Sequence, residues 1–176
     1  MTTEVKPKKA VNSKKKGASF EGQIAKKLSE ALAPLNFMRT AGSGARVGGV
    51  NVKFLERYAA DIANIFIGDV CCINEEDNLK SRFSIECKFY KDVETLEQLF
   101  FSSKIPGWLE ESRVDAQKTQ RDHILIFKFN RTSTYAAIPE NYTMPPTVTK
   151  CLNIHQLNIV LFDELIAHPD FWIIRK

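Results

Sequence analysis

The chain has 176 residues, of which 44% are hydrophobic and 26% charged, a balance typical of a globular protein with one core. No apolar run approaches the roughly 20 residues that cross a bilayer, and the Lys-rich N-terminus lacks the apolar segment of a signal peptide. We therefore expect no membrane span and a cytoplasmic location. The four cysteines form no C-x-x-C pair, so we interpret them as reduced core residues, neither disulfides nor zinc ligands.

The net charge of +4 is concentrated at the N-terminus. Residues 1–16 hold six lysines and one acidic residue, whereas the rest of the chain carries 19 basic and 20 acidic side chains. Such a segment buries too little apolar surface to fold alone, so we predict a disordered basic arm over residues 1–16 and a single domain over residues 17–176. The arm would attract a polyanion, above all DNA, although a solubilising tail or an address signal are open alternatives.

A first helix is predicted directly after the arm. Ser19 can cap it, apolar residues recur every four positions from Phe20 to Leu32, and Pro34 ends it. The first turn of this predicted helix carries Glu21. The helix dipole favours a carboxylate at that position, so Glu21 could be there without any role in function.

A glycine-rich segment follows a short predicted strand at residues 36–40. Half of the chain's eight glycines lie in residues 41–49, which predicts a loop that bends tightly or approaches a ligand closely, with a flexible connector as the alternative. The loop lacks the ending of a nucleotide-binding P-loop and the spacing of a dinucleotide fingerprint, so no nucleotide cofactor is expected. Residues 52–64 are then compatible with another helix.

An acidic residue interrupts the next apolar strand, at residues 65–73. Gly68 and Asp69 break the apolar run, and a polar turn at residues 74–78 follows it. A carboxylate in an apolar strand is costly unless it is paired or coordinates a cation. Asp69 therefore requires an explanation that a surface aspartate would not.

The strand after the turn, Arg82–Tyr90, alternates apolar and polar residues. We expect one of its faces in the core and the other to carry Glu86 and Lys88. The two strands are predicted to form a hairpin, which would bring Asp69 close to both side chains.

Asp69 and Glu86 would then supply two carboxylates, to which the backbone carbonyl of Cys87 adds a third oxygen. Hard oxygen ligands of this kind suit Mg²⁺, which keeps several of its waters. Lys88 could orient or deprotonate a water, or offset charge on phosphoryl oxygens. The alternative is a structural ion pair between Asp69 and Lys88, since Glu-x-Lys is common on solvated strand faces.

The remaining elements alternate helices and strands. Asp92 can cap a helix over residues 93–100, and Pro106-Gly107 separates it from a helix over residues 108–120. Strands are predicted at residues 123–129, 134–138 and 158–162, and a closing helical segment at residues 163–167.

The motifs of this chain and their order along it resemble those of the PD-(D/E)xK nuclease superfamily, and most closely those of the Holliday-junction resolvases of archaea and bacteriophages. The resemblance spans roughly residues 16–130 and comprises Lys16–Glu21, Arg39 before Gly42-Ser43-Gly44, Gly68-Asp69-Val70, Ile85-Glu86-Cys87-Lys88, a helix with Gln117, and residues 124–127. Gly68 stands where the family usually has proline, and the segment from Tyr142 onward has no counterpart in the resemblance.

The resemblance implies an α+β fold with a restriction-endonuclease-like α-β-β-β-α-β core, a mixed sheet flanked by helices. It implies a Mg²⁺-dependent DNA endonuclease, with Mn²⁺ as a substitute, that acts as a homodimer on Holliday (four-way) junctions or other branched DNA. For a phage protein the location would be the host cytoplasm. The alternatives are a restriction-like or nicking nuclease on the same fold, or a non-catalytic DNA-binding protein.

The resemblance also assigns roles to residues. The catalytic set is Glu21, Asp69, Glu86 and Lys88, and the metal ligands are Asp69, Glu86, the Cys87 carbonyl and Glu21. Predicted DNA contacts are Arg39, Ser43, Arg46 and Gln117, together with Lys14, Lys15 and Lys16 of the arm.

Overall fold

A computed structural model describes residues 13–40, 67–76, 78–91, 104–119 and 121–175. The helices of these ranges are α1 (Ser13–Ala31), α2 (Lys104–Thr119), α3 (Phe162–Leu165) and α4 (Pro169–Trp172). The strands are β1 (Phe37–Arg39), β2 (Val70–Cys72), β3 (Leu79–Ser81), β4 (Phe83–Tyr90), β5 (Asp122–Phe129), β6 (Thr134–Pro139), β7 (Lys150–Ile154), β8 (Leu157–Leu161) and β9 (Ile173–Arg175). Within these ranges, no helix is long and apolar enough to cross a membrane.

Several predicted features lie outside the described residues. They are residues 1–12 of the arm, the glycine-rich loop with Ser43 and Arg46, and the helices predicted at residues 52–64 and 93–100.

The described strands form a seven-stranded mixed sheet in the order β1-β2-β4-β5-β6-β8-β7, beside a two-stranded sheet of β3 and β9. The central pair β4 and β5 is parallel, whereas the other neighbours in both sheets are antiparallel. A parallel pair needs a crossover connection, and α2 lies in the chain between β4 and β5. The sequence of elements α1, β1, β2, β4, α2, β5 is the predicted α-β-β-β-α-β core, so the predicted fold class is confirmed.

Apolar cores cover both faces of the central strand β5. One core joins α1 to β4 and β5 and includes Leu28, Ile85 and Ile126. The other joins α2 to β5 and includes Trp108 and Phe127. The expected face of β4, with Phe83, Ile85 and Cys87, lies in the first core. The opposite face carries Glu86 and Lys88, as predicted, and β4 contributes no residue to the second core.

Two predicted helix boundaries are wrong. Helix α1 begins at Ser13, well before the predicted cap Ser19, so Lys14, Lys15 and Lys16 belong to the helix and not to the arm. Helix α2 begins at Lys104 and includes Pro106-Gly107, which we expected to separate two helices. Proline is tolerated in a first turn because the N–H groups there have no intrahelical acceptor.

The predicted pairing of β2 with β4 is confirmed, but the segment that connects the two strands is more complex than a hairpin turn. β2 pairs antiparallel with β4, and Val70 lies opposite Ile85. Between them in sequence, however, β3 leaves this sheet and pairs with β9 near the C-terminus, Leu79 opposite Arg175. The two strands are therefore antiparallel neighbours without being a simple hairpin.

Candidate active site

The backbone of Asp69 is fixed immediately before β2 begins. Its N–H donates to the Ile85 carbonyl at 2.8 Å, and its carbonyl accepts the Thr40 N–H at 2.9 Å. Gly68 precedes it with φ of 82°, in the left-handed region that favours glycine. A Cβ on Gly68 would also lie 2.9 Å from the Ile85 carbonyl oxygen. Gly68 thus allows the close approach to β4 that sets the position of Asp69.

The Asp69 carboxylate adds a side-chain hydrogen bond to the backbone hydrogen bonds between β2 and β4. Its Oδ2 accepts the Cys87 N–H at 2.8 Å, and the residue is only 7% exposed. In an antiparallel ladder the N–H and C=O of one residue point to the same side of the strand. The Cys87 carbonyl therefore faces the same side as the Asp69 carboxylate.

Glu86 and Lys88 form an ion pair on the α2 side of β4. The Lys88 Nζ lies 2.7 Å from Glu86 Oε1 and 3.1 Å from Glu111 Oε2 of α2. Burial of the ammonium lowers the pKa of Lys88, but the Glu86 and Glu111 carboxylates outweigh it and raise the pKa above its usual value. Lys88 is therefore a cation at neutral pH.

Glu21 reaches the site from α1, on the other side of the sheet. Its Oε2 accepts a hydrogen bond from the Arg39 Nε at the end of β1. One turn of α1 is packed on the end of β4 through the Phe20 and Phe89 rings, whose centroids are 5.4 Å apart. Arg39, a predicted DNA contact, is thus also a partner of Glu21.

A single cleft of about 710 Å³ joins these groups. It is lined by Glu21, Gly68, Asp69, Glu86, Cys87 and Lys88, and by Gly107, Glu110, Glu111 and Val114 of α2. All four predicted catalytic residues therefore meet at one cleft. The four α2 residues of the lining, called the α2 wall below, are absent from the predicted site, although the adjacent Glu110 and Glu111 lie on a helix predicted from the sequence.

Of the lysines that open α1, Lys16 lies at the carboxyl ends of β4 and β5. Lys16 donates to the Asn130 side chain, and its Nζ lies 3.8 Å from the centroid of the Phe89 ring. Lys14 and Lys15 are exposed on the same first turn. Their role in DNA binding stays a prediction.

The other predicted DNA contacts are less closely grouped. Gln117 is exposed on α2, and Ser43 and Arg46 lie outside the described residues.

The cleft offers oxygen donors of the kind that a hard cation prefers. Among the described residues, no group of three or more His, Cys, Asp or Glu side chains is placed to hold a metal ion. Two carboxylates and one carbonyl do fit, since Asp69 and Glu86 line one cleft and the Cys87 carbonyl faces the Asp69 side. Burial, and then the Asp69 and Glu86 charges, raise the pKa of the Cys87 thiol well above its usual value, which favours the neutral thiol. The predicted ligand set, Glu21 included, stays a prediction.

An aspartate before one strand and Glu-x-Lys on its antiparallel neighbour, in a mixed sheet packed against α1, form the arrangement that the sequence resemblance implies for a PD-(D/E)xK nuclease. A family model described as "Phage putative PDDEXK endonuclease" matches residues 12–162. The chain belongs to this family, and the resemblance seen in the sequence is confirmed. The match continues beyond residue 130, where that resemblance ended.

Among solved structures, the chain is similar to Hjc from Archaeoglobus fulgidus, a Holliday junction resolvase from an archaeal hyperthermophile. The sequence identity is 13% and the TM-score is 0.37, over 84% of this chain and 88% of that chain. The comparison with curated proteins returned no match.

Proposed function

We propose that this nuclease is a divalent-metal-dependent DNA endonuclease that cleaves four-way or otherwise branched DNA. The observation that carries the proposal is the meeting of Asp69, Glu86 and Lys88 in one cleft through the pairing of β2 with β4. Membership of the PDDEXK endonuclease family supports phosphodiester hydrolysis as the reaction.

Asp69, Glu86 and the Cys87 carbonyl would hold the ion, with Mg²⁺ as the proposed metal and Mn²⁺ as a substitute. Bound there, the ion would polarise a water and offset charge on the phosphoryl oxygens. Lys88 enters as an ammonium, so it can donate hydrogen bonds to the attacking water or the phosphate and stabilise the negative charge that grows in the transition state. Glu21, held by Arg39, would assist from the α1 side.

Basic residues at the carboxyl ends of β4 and β5 support binding of the DNA backbone. The contacts of Lys16 with Phe89 and Asn130 place the first turn of α1 at the end of β4 and β5, where Lys128 and Arg131 also lie. Phosphate contacts from lysine and arginine position a nuclease on DNA without reading its sequence.

The preference for branched DNA rests on the order of motifs shared with junction resolvases. A four-way junction presents two symmetric strands, and a homodimer would offer two sites related by the same two-fold symmetry.

The test compares cleavage of a four-way junction with cleavage of a linear duplex of the same sequence, with Mg²⁺ and with a chelator. We expect the junction to be cut faster, only with the metal, by a protein whose sedimentation gives the mass of a dimer. Equal cutting of both DNAs would contradict the junction preference and favour a restriction-like or nicking nuclease.

A second candidate, a DNA-binding protein without catalysis, is favoured by one observation. Lys88 already has two carboxylate partners, Glu86 and Glu111, as in a purely structural ion network. In that case Asp69→Asn and Glu86→Gln would leave DNA binding unchanged, Mg²⁺ would have no effect, and no DNA would be cut by the wild-type protein.

A further inference from the structure

Helix α2 supplies the cleft with a carboxylate that contacts Lys88. Glu111 Oε2 lies 3.1 Å from the Lys88 Nζ, while Glu86 approaches the same nitrogen from the lysine's own strand. The Glu111 side chain is 65% exposed, whereas those of Glu86 and Lys88 are mostly buried. An exposed carboxylate on one element thus reaches a largely buried ammonium on another.

We propose that Glu111 is a positioning residue for cleavage, which holds the Lys88 ammonium at the α2 wall of the cleft. The proposal rests on the nuclease function proposed above. A lysine side chain is long and flexible, and fixing it costs conformational entropy that one partner only partly offsets. With Glu111 as a second partner, the position of the Lys88 ammonium does not depend on Glu86 alone. The Glu86 carboxylate is then available to bind the proposed metal ion.

The neighbouring Glu110 provides a matched control. It lines the same cleft and carries the same charge, but Arg113 binds both of its oxygens, at 2.6 and 2.8 Å. If the negative charge of the wall merely repelled DNA phosphates, neutralising Glu110 or Glu111 would have the same effect, a tighter complex with DNA. If Glu111 positions Lys88, only the Glu111 variants should slow cleavage.

The kinetic experiment measures kcat and KM of DNA cleavage for Glu111→Ala, Glu111→Gln and Glu110→Gln. For Glu111→Ala we expect kcat to fall roughly twofold to fivefold, in the range of a partly exposed ion pair, with no rise in KM. Glu111→Gln keeps a hydrogen-bond acceptor and should lose less, and Glu110→Gln should keep the wild-type kcat. Wild-type kcat in Glu111→Ala, or an equal loss in Glu110→Gln, would overturn the proposal.

A second measurement needs neither DNA nor metal. The ammonium resonance of Lys88, assigned with Lys88→Arg, is recorded by ¹⁵N-edited NMR. Because two carboxylates hold it, we expect slow proton exchange in the wild-type protein and in Glu110→Gln, and faster exchange in Glu111→Ala. An unchanged resonance in Glu111→Ala overturns the inference. If that resonance changes while the wild-type protein cuts no DNA, the contact is supported and the nuclease proposal fails instead.

Discussion

The replacement of Gly68 by alanine tests how the backbone places Asp69. Gly68 has φ of 82°, a conformation that costs other residues roughly 1–2 kcal/mol. The added Cβ would lie 2.9 Å from the Ile85 carbonyl oxygen and 3.2 Å from the Ser84 Oγ. The carbonyl oxygen is a backbone atom of the central strand, so it cannot swing away, and such overpacking adds about 1 kcal/mol or more. We expect Gly68→Ala to lower the free energy of unfolding by about 2–4 kcal/mol.

The free energy of unfolding would be measured by urea denaturation, with Gly22→Ala as the control. Gly22 lies in the middle of α1, and a Cβ there would meet nothing within 4 Å. That control should gain about 0.5–1 kcal/mol, because alanine is the better helix former. Gly68→Pro, which would restore the proline usual in the family, should destabilise at least as much as Gly68→Ala, since proline requires φ near −65°. Wild-type stability in Gly68→Ala would refute this account of the turn.

Three further predictions concern other parts of the chain. Deletion of residues 1–12 leaves α1 intact but removes three lysines, so it should weaken DNA binding. The slope of log K against log salt, measured by fluorescence anisotropy, should decrease in magnitude by up to about 3. An unchanged slope would contradict the predicted role of the arm in DNA binding. Burial raises the pKa of all four thiols, and only Cys151 is partly exposed, so a thiol reagent at neutral pH should label the folded protein slowly and mainly at Cys151. Mass spectrometry can identify the labelled residue, and rapid labelling of Cys87 would contradict this prediction. Burial, and then Asp122, raise the pKa of Tyr142 to about 12 from 10.0, so the stabilisation contributed by this phenol should be present below pH 10 and lost as the pH rises towards 12. In an ultraviolet titration, Tyr142→Phe should remove the phenol transition at the highest pH. Persistence of that transition in the variant would show that it does not belong to Tyr142.

The meeting of Asp69, Glu86 and Lys88 could be predicted from the sequence because it depends on two neighbouring strands with simple local patterns. The alternation of β4 placed Glu86 and Lys88 on one face, and the unusual Asp69 in an apolar run indicated the partner strand. Both inferences depend on neighbouring positions in the chain, which a period of two describes well.

The α2 wall could not be predicted in the same way. The rotation of α2 about its axis decides whether Glu111 faces Lys88, and that rotation is set by the packing of Ile105 and Trp108 against β5. The start of α2 was wrong for a related reason, because Pro106 looked like a separator and is in fact tolerated in the first turn.

Short strands paired over long distances also escaped prediction. β3 and β9 have three residues each and pair Leu79 with Arg175, so no local period marks either of them. The start of α1 was missed because its first lysines carry no apolar pattern, and contacts such as that of Lys16 with Asn130 appear only in the folded chain.

The most direct test of the central claim is Mg²⁺-dependent cleavage of a four-way junction by Glu86→Gln, with DNA binding measured on the same samples. Glu140→Gln, an exposed turn residue far from the cleft in sequence and absent from its lining, is the matched control. We expect Glu86→Gln to bind the junction but no longer to cut it, whereas Glu140→Gln should behave as the wild type. Cutting by Glu86→Gln at the wild-type rate would contradict the proposed metal site.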